Sequence, residues 1–257
     1  METAMARSVQ VLRRTARLLS SFDHDHPERG VTELAHHLDL PKATVHRILY
    51  TLELDGLVQQ SPGNGKYRLG FNLAKLGVLA LEGIDLRREA LPFMERLVED
   101  HQETVDLAVF DDGRMFYLEV LESPQPVKIA AATGRHLPTH CTASGKAYLA
   151  YASEEDLETV LSIGLEPCTP GTICDPEALR EDLRITRERG YSVDQEQYET
   201  GISAVAAPVM DGSGQPACVI AIAGPTYRLS PERIDELGAA VRDAATELSS
   251  HLGAELD

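Results

Sequence analysis

Four residues at the head of one short segment have the chemistry to meet a nucleic acid. In LPKATVHRILYTLELDGL, residues 40–57, Val45, Ile48, Leu49 and Leu52 recur at i, i+3, i+4 and i+7, the spacing of a buried helical face. Lys42, Thr44, His46 and Arg47 stand off that face, in the first turns. Arg47 carries the planar fork that fits guanine, and Lys42 and Thr44 suit phosphate oxygens. Lys66 and Arg68 follow the Gly-rich turn SPGNG, where they could lie along an adjacent phosphate backbone. A second stretch, HCTASGK at residues 140–146, opens another helical segment. Thr142 or Ser144 can cap it, either as a plain cap or leaving amides for a carboxylate or phosphate. It is not a phosphate-binding nucleotide loop: the required first glycine would fall at His140, and Ala147 stands where Ser or Thr is needed.

The sulfur and imidazole groups offer rival chemistry. His136, His140 and Cys141 are close in sequence, and Cys168 and Cys174 share a Pro/Gly-rich stretch. Such groups could sense zinc or oxidants, but the spacing is irregular and no CxxC pair occurs. An enzyme with Cys141 as nucleophile and His140 or His136 as base lacks an orienting acid. Cys218 lies in an apolar strand and reads as a small core residue.

The elements that must position these groups fall into two sets. Residues 4–22 read as a helix with Val9, Leu12, Ala16 and Leu19 on one stripe and Arg13, Arg14 and Arg17 off it. After the polar loop DHDHPERG, Thr32 can cap TELAHHL, with Leu34, Ala35 and Leu38 inward. Pro41 suits the first position of the next helix, and Gly56 its left-handed stop. Two helices joined by a tight turn, followed by the strand-like LVQQ and KYRLG, make a winged helix–turn–helix. A helix, a break near Gly83 and a second helix follow, with a domain boundary near Glu82. Beyond it, TVDLAVF and RMFYLEVL read as strands around DDG, PVKIAAAT as a third strand, and ISAVAAPVM and PACVIAIAG as strands around DGSG. SGKAYLAYA, EEDLETVLSI and PEALREDLRITRERG read as helices. A final helix is capped by Ser230, has Pro231 just inside, and ends near Leu252. This order predicts an α+β fold.

Charge separates the two sets. The 257 residues carry a net charge of −17, which argues against a nucleic-acid binder taken whole. Yet residues 1–80 hold ten basic and eight acidic side chains, leaving 14 of the 24 basic and 33 of the 41 acidic ones to the remainder. DNA contact is therefore expected from the first part. No apolar run is long enough to span a membrane and no signal peptide is evident, so a cytoplasmic protein is expected, with no cofactor.

The stretches TELAHHLDLPKATVHRILYTLELDGLVQQ and KYRLGFNLAKLG, then LPTHCTASGKAYLA, ERGYSVDQEQYETGISAVAAPVMD and VIAIAGPTYRLSPER, occur in the order found in the IclR family of bacterial transcriptional regulators, which the chain resembles over residues 7–252. The resemblance implies a winged helix–turn–helix DNA-binding domain (1–70), a linker helix (71–83) and a GAF/PAS-like α/β effector-binding domain (84–257). It also implies a homodimer or dimer of dimers that binds double-stranded operator DNA as a repressor or activator. DNA contacts would come from Lys42, Thr44, His46, Arg47, Lys66 and Arg68. In relatives whose effectors are small organic acids, the helix start supplies amides, which places Ala143 and Ser144 at the ligand carboxylate. The family pattern adds Ile129 on a facing strand, Asp194, Ile202 and Ala204. On the last strand Ala221 and Ala223 fall two apart and share a face. Asp194 would instead bond local amides if the ligand carboxylate repels it. Some relatives carry Ser at the positions of Ala221 and Ala223 and Cys at that of Ala204, so the small apolar residues here point toward a larger or aromatic acid. A thiol- or metal-sensing regulator is the alternative function, and a Cys-dependent enzyme a further one.

Overall fold

The computed structural model describes residues 9–23, 26–82, 85–130 and 132–254. The chain divides into two compact units, 1–84 and 85–257.

The first unit contains α1 (Gln10–Leu19), α2 (Val31–Leu38), α3 (Lys42–Leu54), the antiparallel hairpin β1 (Val58–Gln60) and β2 (Tyr67–Leu69), and α4 (Phe71–Glu82). Its core gathers Leu18 and Phe22, Leu34, Ala35 and Leu38, and Val45, Ile48, Leu49 and Leu52, closed by Val58 and Tyr67. The apolar periods of α2 and α3 thus fix how they pack. In α1 they do not: Val9, Leu12 and Ala16 are exposed, Leu19 is half-buried, and the buried residue is Leu18. The helix is turned so that Leu18 and the Phe22 that follows it face the core, leaving the expected stripe open. The part of that expected helix at residues 4–8 lies outside the described residues, as does the expected break at Gly83. Helix α2 begins at Val31 rather than at a Thr32 cap, because the Glu33 carboxylate accepts the Gly30 N–H at 2.9 Å, satisfying one of the free amides of the first turn. Pro41 lies one position outside α3, where its carbonyl accepts the Thr44 and Val45 amides. Gly56, at φ +65°, takes the left-handed turn that leads from α3 into β1.

The second unit begins with α5 (Asp85–His101) and is built on a six-stranded antiparallel sheet, in the order β5-β4-β3-β8-β7-β6. Its strands are β3 (Thr104–Asp111), β4 (Arg114–Leu121), β5 (His136–Pro138), β6 (Ser192–Gln195), β7 (Ile202–Met210) and β8 (Pro216–Pro225). Helices α5 and α9 (Pro231–His251) pack against the sheet and each other, and α6 (Ala143–Leu149) lies across β7 and β8. Helices α7 (Glu154–Ile163) and α8 (Pro176–Arg189) carry the N-caps Ser153 and Asp175. This is the mixed α+β architecture the residue pattern predicts. The expected third strand at PVKIAAAT is a loop, and Ala131 within it lies outside the described residues. Pro124 and Pro126 remove the amides that a strand there would donate, and residues 136–138 take the free edge of β4 instead. A bidentate Arg228–Glu103 pair, at 2.6 Å on both bonds, extends to the Val127 carbonyl at 2.8 Å and ties this loop to the start of β3.

Among the described residues no helix is long and apolar enough to cross a membrane.

Candidate functional site

On the first unit, the two turns at the start of α3 present Lys42, His46 and Arg47 on the surface, with Thr44 half-buried beside them. Among the described residues neither Lys42 nor Arg47 has an ion-pair partner. The wing differs. Lys66 pairs with Glu33 across the unit at 2.9 Å. With the Gln59 amide turned to present its oxygen, Arg68 donates to it from Nε at 2.7 Å and from the guanidinium end at 2.9 Å. Glu28 accepts from Ser61 and Asn64 at the tip, and these hydrogen bonds hold its carboxyl below the usual range. The cations of α3 are therefore free to meet phosphates or bases, whereas those of the hairpin would exchange one partner for another.

On the second unit, sheet register builds a cavity. The antiparallel pairings align Asp106–Ala221–Ala206–Ser192 in one row across β3, β8, β7 and β6, and Thr104–Ala223–Ala204–Asp194 in the next. Alternate residues of a strand share a face, so a floor of alanines runs between an aspartate at one side and an aspartate at the other. Strand spacing alone sets the two carboxyl-bearing backbones about 14 Å apart across the sheet. Over this floor lies the start of α6. Ser192 donates to the Ala143 carbonyl at 2.6 Å, and Ser144 to Asp106 at 3.3 Å. Thr142 is the cap, its hydroxyl accepting the Gly145 N–H at 3.2 Å. Gly145 is required by contact: a Cβ there would fall 2.0 Å from the Thr139 carbonyl oxygen. The side chain of Lys146, wholly buried, donates to the Val193 carbonyl and to Gln197, both at 2.7 Å, and pairs with Asp182 at 3.0 Å, pinning α6 to β6 and α8.

The cavity between floor and helix is about 180 Å³. Ile129, Ala143, Ser144, Asp194, Ile202, Ala204, Ala221 and Ala223 all line it; Ile129 does so from the loop rather than from a strand. Engineered apolar cavities of roughly 150 Å³ hold benzene, so the space suits a molecule of about one ring. Five polar lining residues were not expected from the pattern: Asp106, Tyr117, Arg135, Tyr198 and Glu199. Asp106 had a visible signal, a carboxylate at an inward position of the apolar strand TVDLAVF. Arg135 had none, since it lies in the turn before β5. Burial pushes Asp106 up to about 7 and Asp194 up to about 6, the latter moderated by the Gln197 amide that Asp194 accepts at 2.7 Å. Asp194 therefore bonds a local amide and lines the cavity at once.

The described histidines and cysteines are not gathered into a metal or nucleophilic centre. His136 bonds Asp111 at 2.7 Å and His140 the Glu166 carbonyl at 3.0 Å. Among the described residues no group of three or more His, Cys, Asp or Glu is placed to hold a metal. The Cys141 and Cys168 sulfurs are 3.6 Å apart, and burial drives the Cys141 thiol far above its usual range, opposite to what a nucleophile needs. Cys218 is buried in β8, its thiol pushed up to about 12.

Comparison with known proteins gives a consistent family. Residues 11–62 match the IclR helix-turn-helix domain, and residues 78–250 the family described as bacterial transcriptional regulator IclR C-terminal. The chain is 35% identical to the acetate operon repressor of Salmonella typhimurium over 248 residues, 95% of this chain and 90% of the repressor. It is 32% identical to the HTH-type transcriptional repressor AllR of Escherichia coli over 253 residues, 98% of this chain and 93% of AllR. Among solved structures, an IclR transcriptional regulator from Alicyclobacillus acidocaldarius aligns with a TM-score of 0.84 at 30% identity, covering 95% of this chain and 98% of that one. An IclR homolog from Microbacterium hydrocarbonoxydans, complexed with 4-hydroxybenzoate, aligns with a TM-score of 0.79 at 31% identity, covering 94% and 98%.

Proposed function

The chain belongs to the IclR family of bacterial transcriptional regulators, and from that premise we propose that it is a repressor whose operator binding is set by a small organic acid held in the alanine-floored cavity. Residues 1–70 bind double-stranded operator DNA, residues 71–83 link, and residues 84–257 bind the effector. The exposed start of α3 enters the major groove, with Arg47 on a base edge, Lys42 and Thr44 on phosphates and His46 beside them. Lys66 and Arg68 follow the neighbouring backbone once they leave Glu33 and Gln59. The protein works in the cytoplasm as a homodimer or a dimer of dimers. The observation that carries the effector half is the convergence of eight residues, spread from Ile129 to Ala223, on one cavity of about 180 Å³. Its floor of Ala204, Ala221 and Ala223 gives an aromatic ring a flat apolar seat.

The mechanism is a population shift. The acid binds one arrangement of the effector units better than another, and α4 carries that preference to the spacing of the two winged helices. DNA half-sites demand a fixed spacing, so a coupling of about 1–3 kcal/mol, typical of allosteric pairs, changes operator affinity by roughly five- to 150-fold. The test is a binding titration on the chain's own upstream DNA with acids of graded size, from short keto acids to benzoate and 4-hydroxybenzoate. A one-ring acid shifts the midpoint. If none of them does so, the effector half is wrong.

A further inference from the structure

Asp106 is the most deeply buried of the polar groups in the cavity lining that the organic-acid reading leaves without a role, together with Tyr117, Arg135, Tyr198 and Glu199. It is 4% exposed, it is the third residue of β3, and it lines the cavity. Among the described residues its one hydrogen-bonding partner is Ser144, on Oδ1, so Oδ2 is left for an occupant. An isolated buried carboxyl costs several kcal/mol unless something pairs with it. Asp106 also sets a protein carboxyl against the start of α6, where the carboxylate of an acid was expected. A second carboxylate there would be repelled. The cation that lines the same cavity is Arg135, half-buried and without an ion-pair partner among the described residues.

Resting on the organic-acid reading, we propose that the effector is a carboxylic acid with a hydroxyl or amino group on its body, oriented with its carboxylate on Arg135 and its donor on Asp106. The acid thus lies with its polar head away from Ala143 and Ser144, and Asp106 separates substituted acids from plain ones. The groups facing Asp106 are consistent with an acceptor. Ser144 approaches from α6 and Tyr117 from β4, Asp194 stands across the floor on β6, and Tyr198, Glu199 and Arg135 line the rim. Lys146 is turned away to Val193, Gln197 and Asp182. No cation neutralises Asp106 from within the described fold, and burial holds its carboxyl near 7. Above that pH it is a charged acceptor, the stronger kind, so a donor-bearing acid binds more tightly at pH 8 than at pH 6.

The experiment is calorimetric titration of the full-length protein at pH 8 with benzoate, its hydroxy and amino derivatives substituted at ring position three or four, and phenol. A hydrogen bond to a charged group makes the best substituted acid at least about tenfold tighter than benzoate. Asp106→Asn, which keeps a neutral acceptor and the Ser144 contact, shrinks that ratio severalfold, and Asp106→Ala removes it. Arg135→Gln weakens every acid alike and leaves phenol unchanged. Equal binding of benzoate and all its derivatives, or a ratio that survives Asp106→Ala, overturns the assignment of Asp106 while leaving the organic-acid reading intact. Binding of phenol that depends on Asp106, with no acid bound, overturns the acid reading and the role of Arg135. Silence from all of these compounds overturns both.

Discussion

Replacing Asp106 by Asn should stabilise the effector unit, and by an amount that depends on pH. The carboxyl is raised from 3.8 to about 7 by burial, with only the Ser144 hydroxyl pulling the other way. A folded-state pKa above the unfolded one means that the native protein binds the proton more tightly. Stability from this group is therefore present below about pH 4 and is lost as pH rises to 7. Three units correspond to about 4 kcal/mol, of which the interval between pH 5 and pH 8 contains about 3 kcal/mol. Asn has nearly the same shape, can still accept from Ser144, and has no charge to lose. The difference in stability between Asp106→Asn and the parent should thus move by about 3 kcal/mol in favour of the variant between pH 5 and pH 8. Asp194 titrates in both proteins and cancels. Urea denaturation followed by far-UV circular dichroism at the two pH values measures it, a necessary choice of signal since the chain has no tryptophan. A variant less stable than the parent at pH 8, or a difference that does not change with pH, would refute the claim that a costly carboxylate is kept at this site.

Three further outcomes follow from the geometry. Lys146→Met leaves Asp182, the Val193 carbonyl and Gln197 facing an apolar chain in a buried place, and should cost about 3–5 kcal/mol in the same denaturation assay; a loss under about 1 kcal/mol would show that the ammonium is not what pins α6. Ala221→Phe fills the cavity from its floor, so operator binding should persist while the response to every acid disappears. Arg47→Glu places an anion on the exposed turn of α3, and specific operator binding should be lost with circular dichroism unchanged, whereas Arg47→Ala should cost about 1–3 kcal/mol and relax sequence preference.

The winged helix was legible because its signals are local: the period of α3, the Gly56 stop and the turn chemistry of SPGNG each act within a few residues. The effector sheet was legible where strands are long and alternate, as in TVDLAVF and ISAVAAPVM. It was illegible where pairing alone makes a strand. Residues 136–138 and 192–195 are three and four residues long, too short for a period to register, and the apolar PVKIAAAT looked more strand-like than either. In α1 the stripe of Val9, Leu12 and Ala16 misled because the period says which residues share a side, not whether this unit covers that side. The same limit applies to the cavity. That Ala221 and Ala223 face one way follows from alternation, but that Asp106 stands opposite Ala221 follows from register, which only the assembled sheet supplies. The pairing of Lys66 with Glu33 depends likewise on a hairpin folding back over α2.

A salt titration of full-length protein on its own upstream DNA, with and without a one-ring organic acid, tests whether the cavity is coupled to the operator. Binding that weakens steeply with salt, as phosphate contacts from α3 and the wing require, and whose midpoint moves at least about fivefold with the acid, is the predicted result. Specific binding that no acid alters, or acid binding that leaves the DNA midpoint in place, would contradict the coupling of cavity to operator.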